Sequence, residues 1–326
     1  MILNNFVVSY FVMIVFSLGI CLPAAFVALQ VAGVWKRERN TSEGQHRLEK
    51  RVYLVIVLIC LGFSMRLFMI PLWFLTLQSL IPSIPGAMCM AGLHQLDAPV
   101  SYAATILKFF IPLAYIYWLV LNAVDRRIET QPFMVRKLYL VMPLAILMII
   151  ESFLDAHFLS SIKPKIVSCC TLMFDLPRSA ALKIIRKEAV LWMFSFYAFI
   201  GASFAAYRAR SLFNKTARIV SAVSSLLALI FLVLMLHTKL SPLMLEAPFH
   251  QCVFCLFQEF PDIAIAAASV IIGLWLTFIG AIIPDATQYR LSFKFEEKLK
   301  FISVIMFCAG TAWLSVRFAV KYLFSA

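Results

Sequence analysis

Eight long apolar stretches constrain this chain more than any other feature. They run over roughly 5–34, 53–79, 101–124, 138–160, 188–207, 219–238, 262–284 and 301–322. Each approaches or exceeds the ~20 apolar residues that an α-helix needs to cross a bilayer. In lipid such a segment must satisfy its own backbone hydrogen bonds, which a helix does residue by residue. Transmembrane β-strands would be shorter and would alternate polar with apolar residues, and these runs do not. The chain therefore reads as an all-α polytopic integral membrane bundle of about eight helices, one transmembrane domain over 1–326. Composition agrees: 63% of the residues are hydrophobic and only 14% are charged, well outside the range of soluble globular domains. Residues 1–35 lack the basic start of a cleavable signal, so the first stretch is expected to persist as a helix. Pro23, Pro71, Pro112 and Pro143 fall inside stretches and are expected to bend them.

The connecting segments differ in charge. Segment 35–52 carries six basic residues, and 125–137, 208–218 and 285–300 carry four each. Of the alternate segments, 80–100 carries none, 161–187 six, 239–261 one and the C-terminal end two. Positively charged loops stay in the cytoplasm, so both termini are expected outside, in a bacterial-type inner membrane. The same rule accounts for the net charge of +13 and excludes nucleic acid as the partner it would otherwise suggest. Segment 161–187 runs against the rule. There Asp175 and Pro177 form a helix-start signal, and Ala181, Leu182, Ile184 and Ile185 interleave with Lys183, Arg186 and Lys187. This pattern predicts a short basic amphipathic helix lying on the outer surface. Pro248 and Pro261 bracket a second short helix.

This topology places three cysteine clusters on one face: Met88-Cys89-Met90, Cys169-Cys170 and His250-Gln251-Cys252-Val253-Phe254-Cys255. His94 lies on the same face, with His157 and His237 at the outer helix ends. Thiolates and thioethers select copper(I), and thiolate with imidazole suits zinc. Cys89, Cys169, Cys170, Cys252 and Cys255 are thus candidate metal ligands, with His250, Met90 and His94 beside them and copper as the expected ion. Cys252 and Cys255, three apart, would share a helix face. Cys21, Cys60 and Cys308 lie within spans and read as small packing residues.

The Cys252-x-x-Cys255 spacing also lowers thiol pKa and supports disulfide cycling. Locally it resembles the CxxC of vitamin K epoxide reductase and of the quinone-linked disulfide-generating membrane proteins. That resemblance covers about ten residues. It implies Cys252 and Cys255 as catalytic thiols, a quinone as electron acceptor and a separate shuttle pair of cysteines. Here the adjacent Cys169-Cys170 stands in the shuttle's place and Cys89 is left over. A third reading is an accessory subunit of a membrane complex whose outer loops are stapled by disulfides. The expected partners are the lipid bilayer, other membrane subunits, or an extracytoplasmic metal- or thiol-carrying protein.

Arg66, Lys108, Glu151 and Asp155 lie within spans, where an unpaired charge costs roughly 2.5–3.5 kcal/mol on insertion scales. Glu151 and Asp155, four apart, share a helix face. Two roles are open: structural pairing with Arg66 or Lys108, or a polar path inward from the cysteine face, in which Asp155 would pair with His157. The chain has no phosphate-binding glycine loop, serine-nucleophile motif or HExxH pair.

Overall fold

The computed structural model describes residues 4–38, 42–126, 128, 131–163, 166–167, 178–208, 215–247, 250–282 and 293–324. The regular elements among them are all helical: α1 (Asn5–Glu38), α2 (Ser42–Leu80), α3 (Met90–His94), α4 (Ala98–Asp125), α5 (Met134–Ser161), α6 (Arg178–Arg208), α7 (Lys215–Met235), α8 (Ser241–Met244), α9 (Val253–Glu259), α10 (Pro261–Ile282) and α11 (Phe293–Phe324). Short 3₁₀ turns cover Ile81–Ser83 and Gln95–Asp97, and a single π-turn, Leu236–Leu240, joins α7 to α8. Eight helical stretches are long and apolar enough to cross a membrane, as the hydropathy pattern predicts.

Prolines mark where elements begin. Pro82 and Pro242 open short helices and Pro99 opens α4. Their missing N–H falls where a helix has no internal partner for it. The four interior prolines are carried within α1, α2, α4 and α5. The basic segment before the fifth span corrects the sequence reading. Residues 178–187 are the first turns of α6, continuous with the membrane stretch, instead of a separate surface helix. Nothing between Arg178 and Arg208 breaks a helix: no proline intervenes, and Gly201 is tolerated. Asp175 and Pro177 lie outside the described residues.

The chain divides into two compact units, 1–169 and 170–326. In the first, α1 packs along α2 and α5, and α5 packs along α4. Alanines 24, 25, 28 and 32 of α1 are buried in this core with Val55 and Ile59 of α2. Small side chains let helix backbones approach closely where lipid offers no hydrophobic drive. In the second unit α10 packs against α11 and α7, and α7 against α6. Gly273 and Gly310 set the α10–α11 contact. A Cβ at Gly310 would fall 2.6 Å from the Ala266 carbonyl oxygen. Ser303 Oγ lies 2.8 Å from the Gly273 carbonyl.

Candidate functional site

In the first unit the α2–α4 connection is built to hold Cys89. Pro85 and Gly86 lie against the segment that follows α5: the Val167 N–H donates to the Pro85 carbonyl at 3.2 Å. Gly86 has φ +82°, and a Cβ there would lie 2.2 Å from the Val167 carbonyl oxygen, so only glycine fits this crossing. Cys89 is in extended conformation at the N-cap of α3, and its carbonyl accepts the Gly92 N–H at 3.0 Å. Cys89, Met90 and His94 are buried, whereas Met88 is exposed. The His94 ring lies between Tyr102 and Phe158, with ring centroids 5.2 and 6.2 Å away. Cys169 and Cys170 lie outside the described residues, two and three positions beyond the anchored Val167.

In the second unit Ser241 organises the other cysteine segment. Its hydroxyl lies 3.1 Å from the His250 carbonyl and 2.9 Å from that of Cys252. Cys252 is buried at the N-cap of α9, and Cys255 is half-buried in its first turn. Their sulfurs are within 4.8 Å of each other, as the expected shared helix face requires. Glu246, in a left-handed conformation, pairs with Lys321 of α11. Within this unit Cys252 and Cys255 form a two-thiol candidate for holding a metal ion. The His250 Nε2 is buried, with no hydrogen-bond partner among the described residues. His237 is exposed within the π-turn.

The charged residues of the spans assemble deep in the first unit. Lys108 Nζ contacts both Asp155 oxygens at 2.6 and 2.7 Å and Glu151 at 3.1 Å. Arg66 donates to Glu151 at 3.3 Å and also to the Ser152 hydroxyl. The Tyr10 hydroxyl donates to Asp155 at 2.6 Å. Two cations and two carboxylates thus form one neutral network, and all four residues are buried. Lys108 Nζ also sits 4.2 Å from the centre of the Trp73 ring, within cation–π reach. Trp73 in turn meets Phe158, so one aromatic layer separates the network from His94. His157 takes no part. Two residues from Asp155 means about 200° around the helix, and His157 is exposed there beside Phe153. The expected Asp155–His157 pair is replaced by Asp155 with Lys108 and Tyr10.

Sequence reading missed three anchors. Lys137, counted there as a loop charge, is wholly buried and bonded to Asp125 at 2.8 Å and Asn122 at 3.1 Å. Asp262 is clamped by Arg317 through two 2.6 Å contacts and receives the Trp313 N–H at 2.7 Å. Ser241 is the third. Each lies at the end of a hydrophobic run, where a polar residue looks like ordinary loop; only the distant partner reveals its role. Among the span cysteines, Cys21 is buried in the first core and Cys60 packs against it, while Cys308 is exposed on α11. Comparison with protein families, with characterised proteins and with solved structures finds no match.

Proposed function

We propose that this integral membrane protein binds and handles a soft metal ion, copper(I), through the thiols of Cys252 and Cys255. The observation that carries the reading is the Cys252–Cys255 sulfur pair, held within 4.8 Å on the first turn of α9. Cys89, buried in the first unit, is a further candidate thiol, and thiolate donors favour copper(I) over harder ions. Met90, His94 and His250 are auxiliary donors in this reading, and Cys169 and Cys170 are further thiols through which the ion is received or passed on. An extracytoplasmic metal-carrying protein would be the exchange partner, with the cysteine loops and both termini outside a bacterial-type inner membrane. The buried ionic network acts as the structural support beneath this face.

Metal analysis of the full chain purified under reducing conditions tests the proposal. About one copper per chain is expected for a single thiolate site, lost in Cys252→Ser and Cys255→Ser and reduced in Cys89→Ser. Sub-stoichiometric copper and zinc, unchanged by Cys89→Ser, would overturn it. A mixed disulfide trapped by Cys255→Ser, with quinone-dependent thiol oxidation by the wild type, would replace it with the thiol–disulfide oxidoreductase reading. Two stable loop-to-loop disulfides on non-reducing mass spectrometry would replace it with the stapled accessory-subunit reading.

A further inference from the structure

The longest helix of the first unit exceeds what a bilayer requires. α2 runs for 39 residues, about 58 Å at 1.5 Å per residue. The hydrocarbon layer is roughly 30 Å thick, and roughly 40–45 Å with both headgroup layers. The first turns of α2 precede its apolar run and carry Arg47, Lys50 and Arg51, all exposed. On the opposite side of the helix, Leu48, Val52, Val55 and Ile59 are buried in the core shared with α1. Packing therefore fixes which way the cations face.

They face the same way as the lipid-exposed side of the span. Arg47, Lys50 and Arg51 fall within an arc of about 100° around the helix. Tyr53, Leu54, Val57, Leu61 and Phe68, all exposed, occupy a second arc of about 100° that overlaps the first. The bilayer-facing stripe thus runs straight into the basic cluster. Tyr53, 63% exposed, marks the boundary, since a tyrosine ending an apolar stripe sits at headgroup level. From Tyr53, Arg51, Lys50 and Arg47 lie about 3, 4.5 and 9 Å further along the axis. A headgroup layer roughly 5–8 Å deep takes in the first two and reaches the third. Among the described residues none of these three cations forms an ion pair. Glu49 lies about 150° around the helix from their centre, and Glu43 about 15 Å beyond Tyr53, outside that layer.

We propose that the first turns of α2 form a headgroup site for an anionic phospholipid of the surrounding bilayer: Arg47, Lys50 and Arg51 hold its phosphodiester while its acyl chains lie along the stripe below. Guanidinium donors match phosphate oxygens in parallel pairs. Arg47 and Arg51, four residues apart, are neighbours on the helix surface and can grip one phosphate from two sides. A zwitterionic headgroup carries the same phosphate, but its own cation competes with these three; an anionic headgroup leaves them uncontested. The apolar stripe decides between a lipid and an acidic protein segment. A peptide of acidic residues would meet the charges and leave Leu54, Val57 and Leu61 uncovered, whereas a phospholipid covers both.

The experiment reads the lipid beside Tyr53 directly. In the full chain depleted of its cysteines, Tyr53→Cys is labelled with bimane and reconstituted in phosphatidylcholine vesicles. These contain an equal fraction of either brominated phosphatidylglycerol or brominated phosphatidylcholine. Quenching should report phosphatidylglycerol enriched at least about fivefold over phosphatidylcholine, the gain from a single surface cation. Phe68→Cys, about 22 Å further along the stripe, should report a ratio near one. Replacing Arg47, Lys50 and Arg51 together by Gln should bring the Tyr53→Cys ratio to about one. So should potassium chloride at about 1 M, where the Debye length falls to about 3 Å; this arm needs no charge variant to fold. Equal quenching by the two lipids at Tyr53→Cys would overturn the proposal and leave the patch to an acidic segment of a protein partner. An excess that survives the triple replacement, or that is as large at Phe68→Cys, would overturn it too. The depleted chain lacks the thiols, so the result is separate from the metal reading.

Discussion

Lys108 is the residue on which the first unit's interior turns, because it contacts both buried acids and an aromatic face. Removing one member of a buried ionic group leaves its partner uncompensated, at a cost of about 3–5 kcal/mol. Lys108→Met should therefore lower the thermal midpoint of the detergent-purified protein sharply. Lys108→Met combined with Asp155→Asn should recover part of that loss, since the second change removes the orphaned charge. A double variant no more stable than the single one would show that the two residues are not coupled. This pairing was legible in the sequence: the four-residue spacing of Glu151 and Asp155 and the depth of Arg66 and Lys108 require partners. Tyr10, Ser152 and Trp73 were not legible. A tyrosine, a serine and a tryptophan within apolar runs carry no mark of what they face until the helices are assembled.

At the scale of elements, hydropathy fixes how many helices cross, and backbone proximity fixes how they pack. The α10–α11 contact depends on Gly310, where an added Cβ meets both the Ala266 carbonyl and the Val270 side chain at 2.6 and 2.7 Å. Gly310→Val must push the helices apart and is expected to cost about 1–3 kcal/mol. Gly33→Ala makes the contrast, because nothing lies within 4 Å of its Cβ position. There the helix gains about 0.5–1 kcal/mol from reduced chain entropy. Thermal midpoints moving in opposite directions would bear this out; equal losses would sink it. The sequence located the α9 segment because Pro261 and the Cys252–Cys255 spacing are local signals. It misjudged residues 178–187 because amphipathicity describes a helix's faces and says nothing about whether the helix continues. The crossing of Gly86 with Val167 lay beyond sequence reading, as the two positions are 81 residues apart.

For the molecule as a whole, the charge asymmetry of the loops is an orientation signal. Gln95, beside the Cys89 loop, and Gln131, in the α4–α5 connection, lie at opposite ends of α4. In intact cells carrying a cysteine-depleted chain, a membrane-impermeant maleimide should label Gln95→Cys directly and Gln131→Cys only after lysis. The reverse pattern would invert the orientation and place the thiol face in the cytoplasm, where disulfides are rare.

The ammonium of Lys108 over Trp73 also has an optical consequence. The energy of an indole excited state depends on the field across its ring, and here a fixed cation stands 4.2 Å from the ring centre. The same indole touches Tyr10 and Phe158, and Phe158 stacks on His94 below the cysteine loop. Among the chain's six tryptophans, Trp73 is therefore a native chromophore in contact with the ionic network and, through Phe158, with His94. Its emission colour senses rearrangement of the charges on one side and of the cysteine-bearing loop on the other, without any added label.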